Sequence, residues 1–297
     1  MIVNFGTVAL DTTRTPFKTV VDILGGSATF FGLAASFFHK TGLIGVVGDD
    51  FPDNYMKLLG EKLDLTGLVV EKGKTFRFDS SFGYDLGTRT TNKTELNVFG
   101  KWRPSVPDEY KDARYLYLGN IGPEQQLEVL NQMNEPELTV ADSIELWIKT
   151  KRDSLIEVIS RVNGMVLNDD EVRQLCRTSN LITGAKIIMD WGANFVIVKK
   201  GEHGAILFTP EMIFPTSGFP LEEVVDPTGA GDAFAGGFMG HLACRGKIDD
   251  KTMKEAVIYG NIMGSFAVEE FGIDRFLGLT LDDIEGRYRM YKEMVAF

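Results

Sequence analysis

Hydrophobic and polar residues follow one another along the chain in a pattern that predicts strands and helices in turn. Apolar runs at 2–10 and 42–48 predict buried strands, and small and apolar residues at 27–38 predict a buried helix between them. A second helix is predicted at about 52–63. Further predicted strands lie at 115–119, 138–141, 165–167, 195–199 and 205–214. Three helices are predicted near the end of the chain, at about 229–245, 251–268 and 280–294.

This alternation predicts an α/β fold. Strands that are joined by helices form right-handed crossovers, which place the strands parallel in one sheet with helices on both faces. A chain of 297 residues is long enough for one large α/β domain without disulfides or a structural metal. We therefore expect a single domain over residues 1–297.

Between Gly67 and Trp102 the pattern changes to a period of two. Alternation of hydrophobic with polar residues indicates strands that have one covered face. The alternating positions in this segment are Phe76, Phe78, Ser80, Phe82 and Tyr84. A small antiparallel sheet is therefore predicted as an inset in the α/β domain, built from about 10–24 and 67–102.

Composition and charge exclude several classes of protein. A hydrophobic content of 44% and a charged content of 25% are ordinary for a globular protein, so disorder is excluded. The net charge of −11 argues against a nucleic-acid polymer as partner, because such binders carry clustered Lys and Arg. Cys176 and Cys244 are too few for a disulfide framework or a cysteine metal site. Glycine is in excess, at 32 residues of 297.

The same sequence gives no sign of export or of a membrane span. The N-terminal residues lack a basic region, and Asp11 interrupts their first apolar stretch, unlike a secretion signal. There is no run of about 18 apolar residues. We expect a cytoplasmic protein without a membrane partner.

The most informative segment is the glycine-rich run VDPTGAGDAFAGGF at 225–238. A β-like run at 221–225 is halted by Asp-Pro, and a helix of small residues is predicted to begin near Gly229 or Ala230. The first N–H groups of a helix have no intrahelical partner, so an anion can approach them where glycines carry no side chain. Asp232 lies in that first turn, where a carboxylate repels phosphate. Accepting a proton from an attacking hydroxyl would explain its presence.

Other nucleotide-binding motifs do not fit this segment. Phe234 occupies the third glycine position of G-x-G-x-x-G, and no Lys-Ser/Thr pair follows as in a P-loop. Gly67 lies one residue too far upstream of Gly73 for that earlier segment to be a P-loop. A dinucleotide dehydrogenase is therefore disfavoured.

The run DPTGAGDAFAGGF resembles the C-terminal signature of the PfkB or ribokinase-like carbohydrate kinases, which include nucleoside kinases. The resemblance implies a three-layer ribokinase-like fold, with a mostly parallel sheet, helices on both faces and a small β lid formed by the inset sheet. It extends along most of the chain through an acid after the first strand, a di-glycine, an N-x-x-E element and a strand-turn near the nucleotide: Asp11, Gly25–Ala28, Asn168–Glu171 and Lys199–Gly204.

Carried onto this chain, the resemblance implies a phosphoryl-transfer site. Asp232 would be the general base, and its N–H group would form an anion hole with those of Gly229, Ala230 and Gly231. The implied substrate-binding residues are Asp11, Gly25, Gly26, Asp142 and Arg89. The residues implied for ATP are Asn168, Glu171, Lys199, Gly201, Thr228 and Asn261. Magnesium would be held through water by Asn168 and Glu171, and a monovalent cation such as K⁺ by Asp226 and Thr228.

Several of these residues also have a purely structural interpretation. Asp232 could be a helix N-terminal acid that favours the dipole, although the whole segment favours catalysis. Asn168 and Glu171 have the pattern of a capping box, which is compatible with ion binding. Three others could be a turn residue, a helix cap and an exposed surface residue: Asp11, Asp142 and Arg89.

Phe30 departs from the family pattern. Members commonly carry Asn a few residues after the di-glycine, where it hydrogen-bonds substrate hydroxyls. A phenyl ring cannot make that bond. It either packs in the core or stacks against a base or an apolar substituent of the substrate.

The leading hypothesis is an ATP-dependent phosphotransferase that phosphorylates an alcohol group of a sugar or sugar derivative. The alternative is a nucleoside kinase of adenosine, inosine or cytidine type, favoured by Phe30 and the aromatic residues of the lid. A non-catalytic ligand-sensing protein is disfavoured, because the general base and the glycine turn are both intact. The expected partner is a small molecule, and pairing through the lid would give a homodimer.

Overall fold

The computed structural model describes residues 1–296, and its strands form two sheets. In chain order the strands are β1 (Ile2–Phe5), β2 (Ala9–Arg14), β3 (Thr19–Gly25), β4 (Thr41–Gly48), β5 (Asp64–Glu71), β6 (Phe76–Phe82), β7 (Arg89–Glu95), β8 (Tyr115–Leu118), β9 (Leu138–Ala141), β10 (Gly164–Asn168), β11 (Phe195–Lys199), β12 (Ala205–Phe208) and β13 (Ile213–Thr216). The larger sheet has nine strands in the order β13-β12-β11-β10-β9-β8-β1-β4-β5, and the smaller has four in the order β3-β2-β6-β7.

Helices connect these strands and cover both faces of the larger sheet. They are α1 (Ser27–Ser36), α2 (Asp53–Lys62), α3 (Asp108–Lys111), α4 (Pro123–Leu130), α5 (Glu145–Thr150), α6 (Arg152–Ile159), α7 (Asp169–Cys176), α8 (Leu181–Asp190), α9 (Ala230–Arg245), α10 (Asp250–Ala267), α11 (Asp274–Leu277) and α12 (Leu281–Val295). Short 3₁₀ turns lie at Asn97–Gly100 and Gly201–His203. No helix in residues 1–296 is long and apolar enough to cross a membrane.

The larger sheet is mostly parallel, which confirms the predicted fold class. All neighbouring strands from β5 to β11 pair in parallel, and β12 and β13 add an antiparallel edge. Successive side chains point to opposite faces, so Ile2 packs with α1, α9 and α10, whereas Val3 packs with the helices of the other face. Apolar residues on both faces of these strands therefore produce three layers.

Some of the glycines lie where three helices pack closely. A Cβ on Gly236 of α9 would overlap the backbone carbonyl of Phe31 in α1, and one on Gly237 would lie 2.7 Å from the carbonyl oxygen of Tyr259 in α10. Side chains at these positions would force the helices apart. Part of the glycine content therefore serves helix packing rather than ligand binding.

The smaller sheet differs from the predicted antiparallel inset. β2 pairs antiparallel with β3 but parallel with β6, because the chain passes through α1, β4, α2 and β5 between them. Residues 67–71 belong to β5 at the edge of the larger sheet. Beyond β7, Val98, Phe99 and Trp102 are buried in the main core. The predicted boundary at 67–102 was thus too wide at both ends.

Three other strand predictions were wrong in part. The apolar run at 2–10 is interrupted at Gly6, where a Cβ would lie 2.6 Å from Ser27 Oγ, and the chain then enters the smaller sheet. The stretch 205–214 is a hairpin of two strands, β12 and β13. The run 221–225 forms no strand; instead Val225 N–H donates to the Val268 carbonyl at 2.8 Å, beside the end of α10.

Candidate active site

The glycine turn before α9 brings the backbone close to two side chains. Gly229 has φ 77° and is the N-cap of α9, so a left-handed residue starts the helix. A Cβ on Gly229 would overlap the ring of Phe30, and a Cβ on Gly231 would lie 3.0 Å from Lys199 Nζ. The N–H of Ala230 already donates to the Pro227 carbonyl at 3.3 Å, unlike the free donor implied for it. Side chains at Gly229 and Gly231 would therefore displace Phe30 and Lys199.

Phe30 belongs to the core. Its side chain is 1% exposed and packs in the apolar cluster beneath the glycine turn. Of the two interpretations of this residue, packing is therefore the one that the structure supports.

Asp232 lies in the first turn of α9. Its Oδ1 is buried and has no hydrogen-bond partner within residues 1–296. Burial and the charge of Asp142 raise its pKa to about 7, against the opposing charges of Lys199 and Arg89. Such a carboxyl can take up a proton near neutral pH, which is what a general base requires.

Asp142 and Lys199 form a buried ion pair at the carboxyl edge of the larger sheet. Lys199 Nζ lies 2.8 Å from Asp142 Oδ2, and the side chains are 15% and 4% exposed. The second oxygen of Asp142 accepts the Ser143 N–H at 2.7 Å, and the Tyr117 hydroxyl donates to Oδ2 at 3.3 Å. These contacts hold the carboxylate in one position at the end of β9.

Asn168 and Glu171 form the capping box of α7. Glu171 N–H donates to Asn168 Oδ1, and Asn168 N–H donates to Glu171 Oε2, each at 2.8 Å. Burial and the charge of Asp142 raise the pKa of Glu171 to about 7. One Glu171 oxygen is outside the cap. Residues 1–296 contain no group of three or more His, Cys, Asp or Glu side chains placed to hold a metal ion.

Asp11 is a buried carboxyl on β2, in the smaller sheet. Its Oδ1 has no partner among the described residues, and a Cβ on Gly25 would overlap its other oxygen. Burial and the charge of Asp226 raise the pKa of Asp11 to about 8. Gly26, with φ 95°, is the N-cap of α1. The di-glycine therefore leaves room for the Asp11 carboxyl.

Asp226 and Thr228 join the glycine turn to its surroundings. Asp226 is fully buried, and its two oxygens accept N–H groups of Thr228 at 2.9 Å and Gly272 at 3.3 Å. Burial raises the pKa of Asp226. Thr228 Oγ1 lies 3.4 Å from Thr13 Oγ1 on β2, so the turn also contacts the smaller sheet.

Arg89 approaches the site from the smaller sheet. Its guanidinium lies 5.4 Å from the centre of the Phe78 ring, and Phe78 is the β6 neighbour of Asp11. The Arg89 charge lowers the pKa of Asp11, of Glu171 and of Asp232. The positive charge of Arg89 in the smaller sheet thus favours the ionised form of carboxyl groups near both sheets.

Gly201 and Asn261 are not joined to this cluster by any hydrogen bond or ion pair of residues 1–296. Gly201 has φ 56° in a 3₁₀ turn, with open space where a Cβ would be. Asn261 Nδ2 donates to Thr216 Oγ1 at 2.8 Å and ties α10 to the end of β13. Asn261 thus links α10 to β13, Gly201 has open space beside it, and the assignment of both residues to the nucleotide stays a prediction.

Sequence reasoning missed Tyr117 and Phe78 as members of the site. Tyr117 lies in an apolar strand, where its hydroxyl gave no signal, and its ring stacks on Phe31 with centroids 3.9 Å apart. Phe78 was noted only as one of an alternating series. Its position beside Asp11 depends on the parallel pairing of β2 with β6.

Comparison with known proteins places the chain in a family. The profile of the pfkB family carbohydrate kinases matches residues 10–277. The chain is 33% identical to the cytidine kinase of Thermococcus kodakarensis over 80% of this chain and 87% of that one. It is 28% identical to the aminoimidazole riboside kinase of Salmonella typhimurium, over 84% and 82%.

A solved structure of the nucleoside kinase of Burkholderia thailandensis in complex with inosine has the same fold. It superposes with a TM-score of 0.83 over 98% of both chains, at 18% identity. Together with the buried carboxyl at the glycine turn, these matches show that the chain belongs to the pfkB family of carbohydrate kinases and is an ATP-dependent kinase that phosphorylates a hydroxyl group.

Proposed function

We propose that the protein is a nucleoside kinase that transfers the γ-phosphoryl group of ATP to a ribose hydroxyl. The observation that carries the transfer step is Asp232, whose Oδ1 is buried and unpartnered in residues 1–296 at the start of α9. The carboxylate accepts the hydroxyl proton as the oxygen–phosphorus bond forms and the bond to ADP breaks. Phosphoryl transfer has a loose transition state, so positioning and charge contribute most of the catalysis.

The aromatic ring beside Asp11 and two of the relatives support a nucleoside rather than a free sugar. Asp11 offers carboxyl oxygens to ribose hydroxyls, and the half-buried ring of Phe78 is its neighbour on the same face of the smaller sheet. An aromatic ring at that position can stack on a base, as rings do in nucleic-acid-binding proteins. The cytidine kinase and riboside kinase relatives favour the same class of acceptor. Phe30, which motivated this alternative in the sequence, is buried and does not contribute to it.

The remaining residues are assigned to the nucleotide and its ions. The N–H groups of Gly229, Gly231 and Asp232 would face the transferred phosphoryl group. Magnesium would supply charge neutralisation on the phosphates and keep most of its waters. The free oxygen of Glu171 fits such a water-mediated contact, while Asn168 holds the cap in place.

Four further assignments stay predictions. The smaller sheet would act as a lid over the acceptor, and pairing of two lids would give a homodimer. A monovalent cation would bind near Thr228 and Asp226, although both Asp226 oxygens already accept backbone N–H groups. Gly201 would lie beside the nucleotide.

The experiment is a panel assay of ADP release with Mg·ATP. Cytidine, uridine, adenosine and inosine are compared with ribose and fructose, and the 5′-deoxy form of the best nucleoside is the matched control. We expect turnover with at least one nucleoside and none with its 5′-deoxy form. Turnover with free sugars and none with nucleosides would refute the proposed acceptor while leaving the kinase activity intact.

A further inference from the structure

Lys199 is a buried ammonium whose donors are mostly unused. An ammonium has three N–H donors, and within residues 1–296 the side chain makes one hydrogen bond, to Asp142 Oδ2. Burial lowers the pKa of Lys199, but the charges of Asp142, Glu171 and Asp232 outweigh it and hold the pKa above its ordinary value. The group is therefore charged at neutral pH, with two donors left for a ligand.

The free donors lie against the turn that begins α9. Lys199 Nζ is 3.0 Å from the point where Gly231 would carry a Cβ. The N-terminal end of a helix is itself positive, and the negative charge of Asp232 in the same turn offsets its repulsion of the ammonium. A buried cation and the first N–H groups of a helix thus converge on one place, which suits a phosphoryl group.

Asp142 holds this ammonium in position. Its carboxylate is fixed by the Ser143 N–H and by the Tyr117 hydroxyl, and it reaches across β10 from β9 to the lysine of β11. A flexible lysine side chain has many rotamers, and an ion pair of this kind limits them before any ligand arrives. The pair therefore presents a fixed positive charge at the turn.

We propose that Lys199 is a further catalytic residue, whose ammonium contacts the phosphoryl group during its transfer, with Asp142 as the positioning residue. The inference rests on phosphoryl transfer at this site. The acceptor oxygen forms its bond to phosphorus as the bond to the ADP oxygen breaks, and the hydroxyl proton goes to Asp232. Lys199 stays protonated throughout, so it acts by charge alone.

The test compares nucleotide binding with turnover in Lys199→Met, Lys199→Arg and the control Lys186→Met. Lys186 is an exposed lysine on α8. Calorimetry with Mg·ADP and with a non-hydrolysable ATP analogue needs no acceptor, so it separates this inference from the choice of nucleoside. We expect Lys199→Met to bind ADP within about twofold of the parent, to lose about tenfold in affinity for the analogue, and to lose about 10²–10³ in kcat.

The variants also separate the effect of the Lys199 charge on kcat from the effect of its packing. Lys199→Arg should regain part of kcat, and Lys186→Met should match the parent. Because Lys199→Met leaves a buried carboxylate without its partner, the double variant Lys199→Met/Asp142→Asn removes both charges and protects the fold. It should bind ADP normally and stay as slow as the single variant. Equal loss of ADP and analogue binding, or a kcat within about threefold of the parent in the double variant, would overturn the proposal.

Discussion

The ring of Phe30 fills the space in which Gly229 would carry a side chain. This places a core residue of α1 directly beneath the turn that starts α9, so the shape of the backbone that we propose to bind an anion depends on packing below it. The same contact explains why Phe30 is 1% exposed while lying next to the candidate active site.

A side chain at Gly229 should therefore cost both stability and activity. Gly229→Ala introduces a Cβ at φ 77° and into the Phe30 ring, whereas Gly246→Ala introduces one at φ 62° at the other end of α9 with nothing within 4 Å. The left-handed conformation alone costs about 1–2 kcal/mol. Urea unfolding should show a larger loss for Gly229→Ala, and ADP-release assays should show normal kcat for Gly246→Ala only. Equal effects of the two variants would contradict this role of the contact.

Removing the Asp232 carboxylate should lower kcat by about 10²–10⁴-fold, the usual contribution of a general base. Because its pKa is raised to about 7, the parent enzyme should lose kcat/KM as pH falls below that value and the base is protonated. Asp232→Asn should remove this acidic limb while retaining nucleotide binding by calorimetry. A profile that stays flat down to pH 5 in the parent would argue against Asp232 as the base.

The charge of Arg89, on the smaller sheet, should also change the pH dependence of kcat/KM. Its positive charge lowers the pKa of Asp232, so Arg89→Gln should raise that pKa and move the acidic limb of kcat/KM to higher pH. Arg161→Gln is the control, since this exposed arginine precedes β10 at the opposite edge of the larger sheet. An acidic limb at the same pH in Arg89→Gln and in the parent would show that the Arg89 charge does not affect Asp232 during turnover.

Asp11 should make the fold less stable as the pH rises. Its folded pKa is about 8, above the ordinary value of 3.8, so the folded state binds a proton more tightly than the unfolded chain. Its contribution to stability is full below about pH 4 and is lost as pH rises towards 8. Thermal unfolding of Asp11→Asn should show a smaller decline between pH 5 and 8 than the parent, with a higher KM for the acceptor.

The exposed Asp190→Asn is the control for that experiment, because a surface carboxyl should change neither the pH dependence of unfolding nor KM. If Asp11→Asn declined with pH as steeply as the parent, the Asp11 carboxyl would not be the group that titrates.

A comparison of two of the three capping boxes in residues 1–296 separates the ion-binding role of Glu171 from helix capping. Thr280 and Asp283 form the same reciprocal bonds at α12. Asn168→Ala and Thr280→Ala should each lose about 1 kcal/mol of unfolding free energy. Glu171→Gln removes the negative charge and should raise the Mg²⁺ concentration needed for half-maximal activity. Thr280→Ala should leave that concentration unchanged. A normal magnesium requirement in Glu171→Gln would restrict Asn168 and Glu171 to capping.

The sequence by itself determined the alternation of strands and helices over most of the chain, because burial on one or both faces leaves a period that can be counted. It also determined where α7, α9 and α12 begin, since capping residues and the glycine turn act within three or four residues. The residues of the DPTGAGD turn likewise indicated the candidate active site, because they are neighbours along the chain. These features depend on neighbours along the chain, so no tertiary structure is needed to see them.

Only the tertiary structure decided which side chains meet. Asp142 and Lys199 are 57 positions apart, and they form an ion pair because parallel strands bring their carboxyl ends to one edge of the sheet. The parallel pairing of β2 with β6 placed Phe78 beside Asp11. The raised pKa values of Asp11 and Asp232 follow from burial and from like charges that other elements contribute. Such contacts leave no periodic trace in the chain, since they depend on packing between segments that are far apart in the sequence.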